Sequence, residues 1–280
     1  MPPTIAIVAA GAMGAGVASC LTAKGATVLT SLDGRSAASV QRATAAGMRN
    51  ADDRTLAEAD FFLSIVPPAE ALALARRFAP VFAAASRKTI YVDCNAVSPP
   101  SAHAVADIIA PTGCGFVDAA IIGPPPKPGS SQTKLYVSGP RATELTALNA
   151  HGLIVRPLEG PLTAASALKM SYAGITKGLT ALGAAMLLAA TRGGSAAALK
   201  AELAESQPAL LTYFERGLPS MYGKAYRWVA ELDEIAAFVG ADRPESAMFN
   251  AAARLYQNIA NDVEGERIET ALLDSFLARK

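Results

Sequence analysis

Three groups of residues in this sequence have the types and spacing that chemistry requires. The first is Ala9-Ala10-Gly11-Ala12-Met13-Gly14, which follows the apolar run Ile5-Ala6-Ile7-Val8 and leads into a helical stretch. Small residues between a strand and a helix let the backbone close around a pyrophosphate. Gly11 admits the phosphates, Gly14 lets the helix pack against the strand, and the helix N-terminus faces the negative charge. The usual fingerprint begins with glycine, where Ala9 stands here. The reading is a dinucleotide site, the alternative a plain strand–helix turn.

The second group ends the next strand, at Thr30-Ser31-Leu32-Asp33-Gly34-Arg35-Ser36. An acidic residue at this place binds a ribose 2′-hydroxyl, and a basic one accommodates a 2′-phosphate. Ser31, Arg35 and Ser36 form a phosphate cradle in which a guanidinium donates two parallel hydrogen bonds. NADP is therefore the expected cofactor, while Asp33 keeps NAD open. The alternative is a solvated loop in which Ser36 caps the following helix.

The third is Lys169, set among Ala164, Ala165, Ala167 and Leu168 just after the Gly160-Pro161 turn. Hydride transfer to a carbonyl leaves an alkoxide that needs a proton, and the reverse reaction needs a base. A lysine desolvated enough to titrate near neutrality does both. Tyr172 and Thr176 follow three and seven residues later, on the same helical face. A snorkelling lysine at a helix start is the alternative. Lys177 lies near that face, either to meet an anionic group or simply solvated.

These residues must be held by a regular scaffold. Short apolar strands at Thr4–Ala9, Thr27–Ser31, Phe61–Val66, Thr89–Asp93, Phe116–Ala120 and Leu135–Ser138 alternate with helical segments at Met13–Lys24, Ser36–Ala46, Ala69–Phe82 and Ser101–Ala110. That rhythm predicts a Rossmann-type, doubly wound, mostly parallel sheet. After Pro157 the pattern turns helical: one long helix from Thr163 to Arg192 stopped by Gly193-Gly194, an N-cap at Ser195, then helices at Pro208–Arg216, Lys224–Val239, Pro244–Asp262 and Ile268–Ala278. At 1.5 Å per residue the first spans roughly 45 Å, enough to pass from one domain to another. The expected domains are residues 1–160, dinucleotide-binding, and 161–280, all-helical.

Composition narrows the function classes. A chain of 280 residues favours two domains, and a net charge of +1 without basic runs gives no reason to expect nucleic acid. Cys20, Cys94 and Cys114 lack metal-ligand spacing and read as reduced core thiols. Two histidines, His103 and His151, make a histidine metal site or a Ser-His-Asp triad a poor reading, so no metal is expected. No basic residue precedes the glycine-broken N-terminal apolar run, and Gly178–Ala190 is shorter than the ~18 residues of a membrane span. The expectation is a cytoplasmic protein without membrane contact.

In order along the chain, Gly11-Ala12-Met13-Gly14, Ser64-Ile65-Val66-Pro67-Pro68, Asp93-Cys94-Asn95-Ala96-Val97-Ser98-Pro99, Asp118-Ala119-Ala120-Ile121-Ile122-Gly123 and Lys169 resemble the β-hydroxyacid dehydrogenase and 6-phosphogluconate dehydrogenase superfamily. The likeness is to members with a phosphogluconate-dehydrogenase-like helical C-terminal domain. The resemblance implies that Val66, Pro67 and Pro68 border the cofactor, that Asn95 lies near the nicotinamide ribose, and that Lys169 is the general acid/base. It also implies that Ile122, Gly123, Tyr172 and Thr176 face a small-molecule substrate.

Departures from the family pattern are informative. Asn95-Ala96 replaces Ser-Thr, Ile122-Gly123-Pro124 replaces Ser-Gly-Gly, and Tyr172 stands at an asparagine. The lost serine points to a more apolar pocket, and the Pro124-Pro125-Pro126 run to a stiff loop. The expected function is an NADP-dependent oxidoreductase acting on a small hydroxy acid or related alcohol or carbonyl. A catalytically silent dinucleotide-binding sensor and an imine reductase are the alternatives, the retained lysine arguing against the latter. Leu179–Ala190 is apolar on nearly every face, which predicts burial all round and a homodimer. The Met221–Trp228 segment packs near the substrate cleft or, for Trp228, in the core.

Overall fold

Ile5-Ala6-Ile7-Val8 and Phe61-Phe62-Leu63 are apolar at every position rather than at alternate ones, the mark of strands covered on both faces. The structure, a computed structural model that describes residues 2–278, shows that arrangement. Its strands are β1 (Thr4–Val8), β2 (Thr27–Thr30), β3 (Arg49–Asn50), β4 (Phe61–Ser64), β5 (Ile90–Asp93), β6 (Gly115–Ile122), β7 (Lys134–Ser138) and β8 (Val155–Pro157). They form one sheet in the order β3-β2-β1-β4-β5-β6-β7-β8. All neighbours run parallel except β6 and β7.

Helices α1 (Ala12–Thr22), α2 (Ala37–Ala45), α3 (Asp53–Ala57), α4 (Ala71–Ala84) and α5 (Pro99–Ile109) supply the crossovers. One core layer joins Ile5, Ile7, Val28 and Leu63 to Val17 and Leu21 of α1. The opposite layer joins Ala6, Val8, Phe62 and Tyr91 to Leu74, Phe78 and Phe82 of α4 and Val105 and Ile109 of α5. Phe62, Phe78, Phe82 and Tyr91 pack there as an aromatic cluster. The strand order reverses between β1 and β4, which opens a crevice at their carboxyl ends, where ligands of such sheets bind.

The chain divides into two compact units between Lys169 and Met170. Helix α6 (Ala164–Arg192) opens in the first unit and continues into the second, where α7 (Ala196–Ser206), α8 (Pro208–Tyr222), α9 (Ala225–Val239), α10 (Pro244–Glu264) and α11 (Ile268–Leu277) follow. A Cβ on Gly183 would fall 2.3 Å from the Phe214 ring, so glycine permits the close approach of α6 and α8. Gly194, at φ 71°, ends α6 in a left-handed turn that glycine adopts without strain.

Some local expectations change. Ser195 sits at the N-cap of α7, but its hydroxyl reaches back to the Ala190 carbonyl (3.3 Å) instead of capping. Helix α8 continues past Arg216 through Pro219 to Tyr222, because Leu218, Met221 and Tyr222 are buried and outweigh the proline. Gly178–Ala190 belongs to a helix of 29 residues, long and apolar enough by length and composition to cross a membrane. Half of its most apolar window is buried inside the protein, as in a core helix.

Candidate functional site

β1 delivers the chain into Ala9-Ala10-Gly11 at the crevice, and α1 begins at once at Ala12. Gly11 is the N-cap of α1 with no side-chain cap, and the first turn carries no acidic residue. The leading N–H groups and the positive end of the helix dipole are therefore available to an anion. A Cβ on Gly11 would meet nothing within 4 Å, so open space lies above this backbone. Gly14 answers a different demand, since a Cβ there would lie 2.0 Å from the Ala9 carbonyl oxygen. An open glycine cradle over an uncapped helix start fits the pyrophosphate of a dinucleotide.

At the end of β2 the chain turns through Gly34 (φ 69°), and Asn50 Oδ1 holds the Leu32 N–H (2.9 Å). Ser31 is buried, whereas Asp33, Arg35 and Ser36 are exposed. Ser36 caps α2, its Oγ accepting the Ser39 N–H (3.4 Å) and lying 3.1 Å from Ser39 Oγ. Arg42, which sequence reasoning missed, completes this group. Its Nε donates to the Ala10 carbonyl (3.2 Å) and its Nη2 to Ser39 Oγ (2.9 Å). A guanidinium thus ties the glycine turn to the start of α2. The spacing 36, 39, 42 along one helical face was the signal that could have found it.

Across the crevice, Val66-Pro67-Pro68 follows β4, and the Ala9 N–H donates to the Ile65 carbonyl (3.1 Å). Asn95 braces this loop from beneath: its Oδ1 accepts the Val66 N–H (2.7 Å), and its Nδ2 donates to Ser64 Oγ (2.8 Å) and Asp93 Oδ1 (2.5 Å). At 3% exposed, Asn95 faces the interior. Ser64 and Asp93 are part of that brace and were not singled out from sequence.

Lys169 is half-buried and donates from Nζ to the Ile121 carbonyl (2.6 Å). The structure thereby brings Lys169 together with Ile122 and Gly123, which follow on the same strand end. Two hydrogen-bonded side chains set the start of α6 that carries this lysine. Asp118 accepts from Ser166 N–H and Ser166 Oγ (both 2.7 Å), and Ser138 Oγ accepts the Ala165 N–H (2.9 Å) while donating to the Leu162 carbonyl (2.8 Å). A buried carboxylate at a helix N-terminus is stabilised by the dipole and by the free N–H groups it accepts. Burial raises the Asp118 carboxyl, with the bonds from Ser166 and Ser138 pulling the other way.

Tyr172 and Thr176 belong to the helical unit. The Tyr172 side chain is half exposed, and the Thr176 hydroxyl is turned to the Tyr172 carbonyl (2.9 Å). Lys177 is buried in an ion pair with Glu231 and stands 5.5 Å over the Trp228 ring. That lysine is internally neutralised, not solvated. Trp228, half-buried, packs edge-on against the buried Tyr256 ring at 5.2 Å. The three cysteines are free and buried. Among the described residues no group of three or more His, Cys, Asp or Glu could hold a metal ion.

A doubly wound sheet with a glycine cradle at its switch point, followed by an all-helical region, defines a dehydrogenase-like dinucleotide-binding scaffold. The chain belongs to the family of the NAD binding domain of 6-phosphogluconate dehydrogenase, which residues 4–149 match. Residues 190–259 match a domain of unknown function, DUF1932. No curated protein is matched.

Among solved structures, a conserved protein of unknown function described as similar to 3-hydroxyacid dehydrogenases is 27% identical, over 95% of this chain and 98% of its own, with a TM-score of 0.71. A conserved hypothetical protein from Sinorhizobium meliloti is 25% identical over 99% and 97% of the two chains, also at 0.71. The Mycobacterium tuberculosis 3-hydroxyisobutyrate dehydrogenase shares the fold at 20% identity, 99% and 100% coverage and a TM-score of 0.72.

Proposed function

We propose that this protein is an NADP-dependent oxidoreductase acting on a small hydroxy acid or related alcohol or carbonyl, with Lys169 as general acid/base. The observation that carries the reading is the placement of Lys169 Nζ, half-buried on the Ile121 carbonyl at the carboxyl edge of the sheet. The bound nicotinamide would supply or accept the hydride. Lys169 would give a proton to the oxygen of a reduced carbonyl and, as the free amine, take the hydroxyl proton in the reverse direction. The Ile121 carbonyl fixes the ammonium end of a flexible side chain, limiting the entropy lost when substrate binds.

Gly11, Ala12, Met13 and Gly14 would hold the pyrophosphate, and Val66, Pro67 and Pro68 would border the nicotinamide half, braced by Asn95. Ser31, Arg35 and Ser36, together with Arg42, would hold the 2′-phosphate; the first turn of α2 carries no carboxylate to repel it. Ile122, at the place of a serine in the family pattern the sequence resembles, would leave the substrate side apolar. The exposed apolar face of α6 supports a homodimer.

The test is direct. Protein fluorescence titrated with NADPH and NADH should show tighter binding of NADPH, and a screen of hydroxy acids, alcohols and imines should find turnover by nicotinamide absorbance. Lys169→Ala should keep NADPH affinity and lower turnover by roughly 10² to 10⁴. Dinucleotide binding without turnover of any substrate would favour a silent sensor instead. Full activity in Lys169→Ala would remove the proton role.

A further inference from the structure

A buried polar row crosses the sheet at its carboxyl end. Ser64, Asp93, Asp118 and Ser138 stand on β4, β5, β6 and β7, each the Cα partner of the next. They are 0%, 0%, 1% and 0% exposed. Two residues earlier on the same face of three of these strands, Phe62, Tyr91 and Phe116 simply stack on one another. Buried polar residues persist without cost only where their groups are satisfied.

Each half of the row holds one part of the proposed site. On one side Ser64 pairs in register with Val8, the residue before Ala9, and Asn95 links Ser64 and Asp93 to the Val66 N–H. On the other, Asp118 and Ser138 seat the first turn of α6, three residues before Lys169. The two halves meet at Asp93 and Asp118. There Asp93 Oδ2, wholly buried, has no hydrogen-bond partner among the described residues.

Apart from Lys169, the titratable groups around Asp93 are acidic or neutral. Tyr91 lies two residues before it and Cys94 directly after it, Asp118 faces it from β6, and Ser64 on β4 is neutral. At the start of α5, Ser98 is buried, while His103 and Asp107 of that helix are exposed. From α6 come Ser166, bonded to Asp118, and Lys169, whose amine is on the Ile121 carbonyl.

We propose that Asp93 and Asp118 hold one proton between them and act as a positioning pair, setting the Val66–Pro68 loop and the Lys169 end of α6 on one edge of the sheet. The proposal rests on the reading of those two parts as one site. Asp118 accepts two hydrogen bonds from Ser166 at a helix N-terminus and is the ionised member; Asp93 carries the proton. Burial, with the Asp118 charge adding to it, pushes the Asp93 carboxyl up to about 7. Two in-register buried carboxylates cannot both ionise without strong repulsion. When Asp93 loses its proton, a second charge enters the row and repels Asp118, and the repulsion falls on the ends of β5 and β6 that carry the Asn95 brace and the seat of α6.

The sign follows from linkage. A carboxyl raised in the folded state binds its proton there when the unfolded chain has lost it. Its stabilisation is complete below the unfolded value and disappears as pH rises through about 7. The experiment is a ¹³C NMR titration of the full chain labelled at aspartate carboxyls, run beside NADPH affinity at pH 5.5 to 8.5. The expected result is one aspartate with a midpoint near 7, absent in Asp93→Asn, and NADPH affinity that falls several-fold across that midpoint in the wild type only.

Aspartates all titrating below about 5 would overturn the shared proton, in the wild-type chain and without any variant. A midpoint near 7 with pH-independent NADPH affinity would overturn the positioning role. Should NADPH not bind at any pH, the functional reading fails, while the titration still decides the proton.

Discussion

The two glycines of the turn do separable work. Gly11 has open space where its Cβ would go, so Gly11→Ala should fold normally, with an unchanged urea midpoint, and lose at least tenfold in NADPH affinity because the methyl occupies the pyrophosphate's place. Gly14 would set a Cβ 2.0 Å from the Ala9 carbonyl oxygen, so Gly14→Ala should lower unfolding free energy by about 1–3 kcal/mol as well as impairing binding. Equal effects in both assays for both variants would refute this division. Arg42→Gln should lower NADPH affinity about tenfold and NADH affinity less, through the glycine turn it braces, read by fluorescence titration. The glycine turn is readable from its local spacing between strand and helix, and Lys169 from its place after the ordered family motifs. Arg42 is not, because its Ala10 partner meets it only in the folded chain, although Ser39 lies one helical turn away.

At the scale of elements, the start of α6 is held by side chains from two strands rather than by a local cap. Ser138→Ala would remove the acceptor of the Ala165 N–H and the donor to the Leu162 carbonyl together. The expected loss is about 1–3 kcal/mol in urea unfolding, the cost of unpaired buried polar groups, and a change under 0.5 kcal/mol would show the latch to be dispensable. Such tertiary capping explains what the sequence did and did not disclose. The long strands and helices announce themselves by apolar runs and stops such as Gly193-Gly194. β3, two exposed residues at the sheet edge, and β8, three residues ending in Arg156-Pro157, carry no apolar pattern of their own. They exist because a formed neighbour strand offers them a ladder. The Ser64–Asp93–Asp118–Ser138 row was equally hidden, since registry between strands is not written in any one segment.

At the scale of the whole molecule, α6 presents an unusual surface. Tyr172, Ile175, Leu182 and Met186 are 51%, 71%, 58% and 53% exposed, and Leu179 between them is half-buried. Their spacing alternates three and four residues, so they form one seam roughly 21 Å long. Between Lys169 and Arg192 the only charged residue on the helix is Lys177, which is buried with Glu231. A continuous apolar stripe without charged residues gains free energy when a matching stripe covers it, and the stripe of a second copy is such a match around a two-fold axis. The wild type should therefore sediment as a dimer at micromolar concentration. Leu182→Glu would bury a carboxylate at the centre of the seam without a partner and should weaken dimerisation by at least roughly a hundredfold, or about 2.7 kcal/mol. The substitution faces solvent in the single chain, so its circular dichroism and NADPH binding should be retained. A wild type that sediments as a monomer, or a Leu182→Glu dimer of unchanged affinity, would show that this face is not the interface.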